Sequence, residues 1–279
     1  MTNFTNVVGV HGVPRSGTSW LAQIFNSHQN VKLKFQPLFS YALKNEIDEY
    51  SSKHDIYDFY NKMWLNNDDL FLNFKDPIIH KNYPNFIKDE NPINLVFKQV
   101  HHHYILNNLL IKDKNIRVIL IIRNPLSVLS SWKKAPKEFN PEWDYYKEWK
   151  DAQLKNKDLK ENYFGYNKWC EVTQLFLKLE NEFPDRVYIL NYSDLLSNTI
   201  KEVEEIFKFS KIGKPDIQTY EFIRKSKSIN HSDPNSVYKT KTNDSSWKND
   251  LPQEIIDEIK NDSLFILMNK KFKWLENEL

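Results

Sequence analysis

The sequence predicts a three-layer α/β/α fold around a central, mainly parallel sheet, with residues 1–279 forming one domain. Three observations lead there. Short apolar runs alternate with stretches of helical period along most of the chain. One of these runs, RVILIIR at 117–123, is unbroken Val, Ile and Leu, as a strand covered on both faces requires. A glycine-bearing turn, HGVPRSGTSWL at 11–21, directly follows the first run.

The elements follow in order. Residues 6–10 read as the first strand, 31–35 as a weaker one, and 93–98, 117–122 and 186–191 as three more. Trp20, Leu21, Ile24 and Phe25 recur at helical spacing, so a helix starts at the glycine turn. Pro125 opens a second helix directly after the Ile-rich strand, because proline suits the first helical position; Leu126, Leu129 and Trp132 form its apolar face. Long helical patterns dense in Trp and Tyr run through 141–182, and 199–209 and 252–275 are further helices. Residues 213–249 are polar, without a periodic pattern and too long for an ordinary connection, which leaves a mobile lid or a segment whose structure the pattern hides. No repeat, low-complexity tract or dividing linker breaks the chain.

Composition excludes several classes of function. With 39 basic and 37 acidic residues the net charge is +2, so no global field draws the protein to nucleic acid or an anionic membrane, and any anion site must be local. Only Arg15, Arg117, Arg123, Arg186 and Arg224 are arginines, and an arginine offers phosphate a rigid bidentate fork that lysine cannot copy. Cys170 is the one cysteine, which predicts a reducing, cytoplasmic setting. No apolar run approaches the ~20 residues of a membrane span, and the first strand begins close to Met1, so neither anchor nor signal peptide is expected.

The turn at 11–21 fits the phosphate-binding pattern G-x-x-x-x-G-K-[ST] at Gly12, Gly17 and Ser19, but Thr18 stands in the lysine position. A nucleoside triphosphatase needs that lysine, and a carboxylate at a neighbouring strand end to support Mg²⁺. Here the best central strand ends in Arg123, a cation. The loop carries its own cation, Arg15, and its backbone N–H groups, helix dipole and hydroxyls together suit an anion without a metal. Arg123 with Ser127, Ser130 and Ser131 repeats the design at a second strand-to-helix corner. Two such corners predict a ligand with two separated anionic groups.

PRSGTSW at 14–20 resembles the 5′-phosphosulfate loop of sulfotransferases, and RNPLSVLSS at 123–131 resembles their 3′-phosphate motif. ILNYSDLL at 189–196 is similar to the family's late tyrosine-containing segment, and KTKTNDSSWKNDL at 239–251 to the loop that closes on the nucleotide. The resemblance runs from Val7 to Leu251 and implies a P-loop NTPase-like fold. It implies 3′-phosphoadenosine 5′-phosphosulfate (PAPS) as sulfuryl donor, adenosine 3′,5′-bisphosphate (3′,5′-ADP) as product, and no required metal. By position it also implies that Arg15, Ser16, Gly17, Thr18 and Ser19 hold the 5′ group, that Trp20 stacks on adenine, and that Tyr192 lies near the base. Arg123 and Ser131 would grip the 3′-phosphate, with Lys239 or Lys241 closing over it.

FKQVHHHYI at 97–105 supplies the groups for transfer. Family members end a strand in a lysine, here Lys98, which would steady the leaving phosphate oxygen, and place a histidine two or four residues later. His102 matches the longer spacing, His101 is one short of it, and His103 matches neither. Three consecutive side chains diverge on helix or strand, which argues against a zinc site. Gln36 stands where carbohydrate-sulfating members often carry a glutamate base and cannot accept a proton, so His101 or His102 is the expected base, with Glu46 or Asp48 as carboxylate substitutes. The acceptor is expected to be a hydroxyl or amine, foremost of a saccharide or glycan precursor. A small alcohol, a phenol and a lipid-linked acceptor stay open, as do a nucleotide kinase and a non-catalytic nucleotide-binding protein. Nothing in the sequence addresses oligomeric state.

Overall fold

The computed structural model describes residues 4–75, 83–231, 233, 235–238, 240 and 243–276. In chain order its main elements are β1 (Asn6–His11), α1 (Thr18–Ser27), β2 (Val31–Phe35), α2 (Lys53–Leu65), β3 (Asn94–Gln99), α3 (Leu106–Lys112), β4 (Arg117–Ile122) and α4 (Pro125–Lys133). There follow α5 (Tyr145–Asp151), α6 (Gln153–Asn156), α7 (Tyr166–Glu182), β5 (Val187–Asn191), α8 (Tyr192–Ser197), α9 (Thr199–Phe209), α10 (Ile217–Ser228), α11 (Trp247–Asp250), α12 (Gln253–Lys260) and α13 (Ser263–Phe272). The five strands pair in parallel in the order β2-β3-β1-β4-β5.

The unbroken apolar run of β4 has its reason in this sheet. Val118, Leu120 and Ile122 pack with Leu106, Leu129 and Phe176 on one face, while Ile119 and Ile121 pack with Phe25, Ile206 and Phe222 on the other. Both sides are therefore dry, and a polar residue at any of these positions would be buried. From β1 the chain goes outward to β2 and back to β3, then crosses over β1 to reach β4. The tip of β1 is thus where connections part in opposite directions, the usual place for a ligand crevice in such sheets.

The turn after β1 is built around two glycines. A Cβ on Gly12 would lie 2.5 Å from Ser16 Oγ and 2.6 Å from Ile121 Cγ2, so the loop presses directly on β4. Gly17 has φ 94° and a Cβ there would sit 2.5 Å from the Tyr192 ring. Ser16 donates its hydroxyl to the Val13 carbonyl at 2.7 Å, which closes the turn internally.

Residues 213–249 contain more order than their composition suggests. Asp216 caps α10 by accepting from Thr219 N at 2.8 Å, and Thr219, Phe222, Ile223 and Ser226 turn inward. Ser27 of α1 donates to Thr219 Oγ1 at 3.0 Å. The inward stripe is half hydroxyl, which is why no apolar period marks it. The expected helix over 252–275 is two, because Asp262 turns back to accept from the backbone N–H groups of Leu264 and Phe265 and so starts α13. Of the Trp and Tyr residues between 132 and 169, Trp132, Tyr145, Trp149, Tyr163, Tyr166 and Trp169 are core side chains.

Gly12→Ala tests the loop contact: overpacking against Ile121 should cost about 1–3 kcal/mol. A urea titration should show a lower midpoint at unchanged slope, and an unchanged midpoint would mean that the loop does not press on β4.

Candidate active site

A cavity of 730 Å³ opens over the strand tips. Arg15, Gly17, Thr18, Ser19, Trp20, Arg123, Ser130, Ser131 and Tyr192 line one part of it, and Phe35, Gln36, Lys98, His101, Glu138 and Phe164 line another. The two anion corners inferred from sequence therefore face one space. Each is delivered by a strand end that the sheet holds rigid.

At the first corner Arg15 adopts φ 71°, a left-handed conformation that is uncommon for a side chain of this size. Its Nε donates to Ser131 Oγ at 3.2 Å, its Nη1 donates to Asn235 Oδ1 at 2.9 Å, and Glu138 Oε1 lies 3.6 Å from Nη1. Ser16 is fully buried and spends its hydroxyl on Val13, so within this turn Thr18 and Ser19 are the hydroxyl residues that line the cavity.

At the second corner Arg123 is 6% exposed. Its Nη1 donates to the Arg15 carbonyl at 2.7 Å, while Nε and Nη2 donate to the two oxygens of Asp244 at 2.8 and 2.5 Å. Its guanidinium lies 4.7 Å above the centre of the Tyr192 ring. Burial opposes its charge, but Asp244 outweighs burial and the guanidinium pKa is pushed up. Ser127 Oγ donates to the Asp244 carbonyl at 2.6 Å, Ser130 Oγ to Asp250 at 2.6 Å, and Trp169 Nε1 to the Arg123 carbonyl at 3.1 Å. Trp20 stands edge-on to Tyr192 and donates from Nε1 to Ser226 Oγ at 3.0 Å. Lys239 and Lys241 lie outside the described residues.

The three histidines part company. His101 lines the cavity, stacks on Phe39 with ring centres 5.2 Å apart, and has Nδ1 3.2 Å from the Glu161 carbonyl oxygen. A carbonyl only accepts, so Nδ1 carries the proton and Nε2 is left as the bare ring nitrogen. His102 takes φ 58°, shares a hydrogen bond with Tyr104 Oη at 3.0 Å and is not among the residues lining the cavity. His103 is fully buried with Nδ1 3.3 Å from His11 Nδ1, beneath the glycine turn. Glu46 pairs with Lys62 away from the cavity, and Asp48 accepts from Tyr50 N and Ser51 Oγ in its own turn.

Burial sets the protonation states. It pushes Lys98 down to about 7, against the attraction of Glu138 and with the help of Arg15. Lys98 Nζ lies 4.4 Å above the centre of the Phe35 ring. His101 and His102 are lowered to about 4 and His11 to about 3, with burial the leading cause each time; His103 is lowered well below its ordinary value for the same reason. All four rings are neutral at neutral pH.

Sequence reasoning missed Glu138 and Asp244, the two carboxylates that face the arginines. Neither sits in a periodic pattern or at a strand end, and no signal short of the folded contacts marks them.

Comparisons with known proteins complete the picture. A family model for the sulfotransferase domain matches residues 7–270. Mouse sulfotransferase SULT7A1 complexed with PAP aligns over 95% of this chain and 88% of its own, at 15% identity and TM-score 0.55. Retinol dehydratase, in a complex with retinol and PAP, aligns over 94% and 80% at 12% identity and TM-score 0.53. The sulfotransferase domain from the curacin biosynthetic pathway aligns over 98% and 99% at 13% identity and TM-score 0.51. At such identities the likeness is one of fold. A search of curated proteins returns no match. Among the described residues no helix is long and apolar enough to cross a membrane.

The neutral histidines give a pH test. Between about pH 4 and 6.5 the unfolded chain holds protons that the folded chain does not, so stability is full above about 6.5 and falls as pH drops, by roughly 1.4 kcal/mol per pH unit for each such histidine. Urea midpoints should hold level from pH 7.5 to about 6.5 and fall steadily from there to pH 5, and His102→Asn should reduce that slope by about one proton. A flat profile would mean that the rings are charged when buried.

Proposed function

The chain belongs to the sulfotransferase domain family, and from that premise we propose that it moves a sulfuryl group from PAPS to a hydroxyl or amine of an acceptor, foremost a saccharide or glycan precursor. The observation that carries this reading is the tie between two arginine-bearing corners, Arg123 Nη1 on the Arg15 carbonyl at 2.7 Å, which joins both arginines to one cavity wall. A nucleotide with groups at both ends of its ribose matches that arrangement, and mouse SULT7A1 and retinol dehydratase were both solved with PAP.

On this reading Arg15, the 16–19 turn and Lys98 receive the 5′-phosphosulfate, Arg123 and Ser131 the 3′-phosphate, and Trp20 and Tyr192 the base. The residues fit such a ligand: hydroxyls, a helix N-terminus and two guanidinium groups line the space. Lys239 and Lys241 remain part of the proposal as cations closing over the 3′ group.

The step needs positioning, charge near the leaving oxygen, and a base. The acceptor oxygen forms a bond to sulfur while the bond from sulfur to the 5′-phosphate oxygen breaks, and the acceptor proton passes to His101 Nε2. Glu161 keeps the other ring nitrogen protonated, so the imidazole presents its lone pair to the cavity. Lys98 lies where an anion would restore its charge, and a protonated Lys98 then steadies the departing phosphate oxygen. His102, held by Tyr104 and Glu161, orients the His101 segment instead of taking the proton.

For the acceptor, Phe164 lines the cavity with His101, Gln36 and Glu138 while Phe39 backs the His101 ring, a mixture of apolar surface and hydrogen-bonding groups that suits a sugar ring. A single domain and a cytoplasmic setting belong to the same proposal, supported by two core clusters on one sheet and by a half-buried Cys170 whose thiol burial pushes up to about 11.

Calorimetry with 3′,5′-ADP should show binding to the wild type and a loss of roughly 100-fold in Arg123→Ala, since a charge-assisted fork is removed. No binding to the wild type would overturn the donor assignment. With ³⁵S-labelled PAPS and a saccharide panel, His101→Ala should lose on the order of 100-fold or more in turnover with 3′,5′-ADP affinity kept, while His102→Ala stays within a few-fold. The reverse pattern would exchange their roles.

A further inference from the structure

Arg123 would normally be read as a vacant phosphate clamp, but its fork is already engaged. Asp244 accepts from Nε and Nη2 along one edge of the guanidinium, and Nη1 is committed to the Arg15 carbonyl. The guanidinium offers parallel N–H pairs along its Nε–Nη2 edge and at its Nη1–Nη2 end; Asp244 fills the first and the Arg15 carbonyl draws on Nη1 of the second, so a phosphate seeking the side-on bidentate grip needs the atoms that Asp244 holds. The carboxylate is 6% exposed, and its backbone is seated on α4 by Ser127 at 2.6 Å, with Asp250 anchored close by on Ser130 and Lys134.

Resting on the donor assignment above, we infer that Asp244 is a resident counter-ion of the 3′-phosphate subsite, which must leave Arg123 before a 3′-phosphorylated nucleotide binds and which thereby sets donor specificity. The physical reason is charge. A buried guanidinium without a partner is costly, so Asp244 supports the donor-free fold. A phosphate monoester carries close to twice the charge of a carboxylate and more acceptor oxygens, so it can displace Asp244. A nucleotide with a free 3′-hydroxyl offers no replacement, and Arg123 keeps its resident anion. Selection for the 3′-phosphate then comes from exchange of one anion for another and not from attraction to a bare cation.

Arg15 provides the contrast within the same cavity. Its carboxylate neighbour Glu138 stands 3.6 Å away with 28% of its side chain exposed, a loose and partly hydrated contact. An incoming 5′ group there competes with the neutral acceptors Ser131 and Asn235 and with this looser carboxylate, whereas the 3′ group at Arg123 meets a buried ion pair.

Calorimetry with 3′,5′-ADP and with 5′-AMP on wild type, Asp244→Asn and Asp244→Ala decides the matter. If the competent fraction of the wild type is limited by Asp244, Asp244→Asn should bind 3′,5′-ADP roughly tenfold tighter, with 5′-AMP unchanged within about twofold. Unchanged or weaker 3′,5′-ADP binding, or an equal gain for 5′-AMP, overturns the inference while wild-type binding leaves the donor assignment standing. Absence of binding to wild type and variant alike overturns the donor assignment and this inference with it. Should the variants fail to fold by circular dichroism, stopped-flow Trp fluorescence on the wild type decides. A rate that saturates with 3′,5′-ADP but rises linearly with 5′-AMP is the expected result, and linear behaviour with both overturns it.

Discussion

The hydrogen bond from Arg123 Nη1 to the Arg15 carbonyl is the contact on which the arrangement of the site depends. It joins the tip of β4 to the turn after β1, so two strand-to-helix corners become one wall. The glycines make the junction possible: at Gly12 and Gly17 no Cβ stands between the turn and Ile121 or the Tyr192 ring. Tyr192 is gripped from both sides, by Gly17 beneath and by Arg123 above. Moving any one of these three groups moves the others, because each fills the space the next one needs.

That closeness brings a charge problem, and the remaining polar residues answer it. Arg15, Arg123 and Lys98 share one cavity with little water around two of them. Asp244 neutralises Arg123 directly, and Glu138 offsets Arg15 at longer range. Among the described residues no carboxylate lies within ion-pair distance of Lys98, which is instead pushed down to about 7 and gives up much of its charge. The histidines, in the same dry region, stay neutral. The two arginines are therefore offset before a ligand arrives, Lys134, Lys137 and Lys227 leave the lining cationic in sum, and an anionic donor changes the balance at all of these groups together.

The sheet was legible in the sequence because its determinants are local. An unbroken run such as RVILIIR can only be comfortable between two layers, and Pro125 and Gly17 punctuate helix starts in ways that need no tertiary knowledge. The arginine corners were legible for the same reason: strand, turn and helix are contiguous in the chain. Asp244 and Glu138 were not, since each meets its arginine across more than a hundred residues and neither lies in a periodic segment. The placement of His101 and His102 was hidden by phase. Residue spacing counts positions along the chain, but the left-handed turn at His102 rotates its ring toward Tyr104 and leaves His101 over the cavity. Helix α10 was hidden because Thr219 and Ser226 do the work of apolar residues on its inner face, satisfied by Ser27 and by Trp20.

The burial that weakens His101 and Lys98 also bears on how catalysis would be confined to the loaded enzyme. A histidine lowered to about 4 is a poor base at neutral pH, and a lysine lowered to about 7 is a partial acid at best. Burial is the leading cause in both, so a buried anion placed beside them reverses the shift: negative charge favours the protonated forms of both. The donor would then raise the basicity of His101 and the charge of Lys98 in the same act that brings the sulfuryl group within reach. The reacting groups would be strong only when there is something to react with, and the dry cavity that weakens them alone is what makes their response to the donor large.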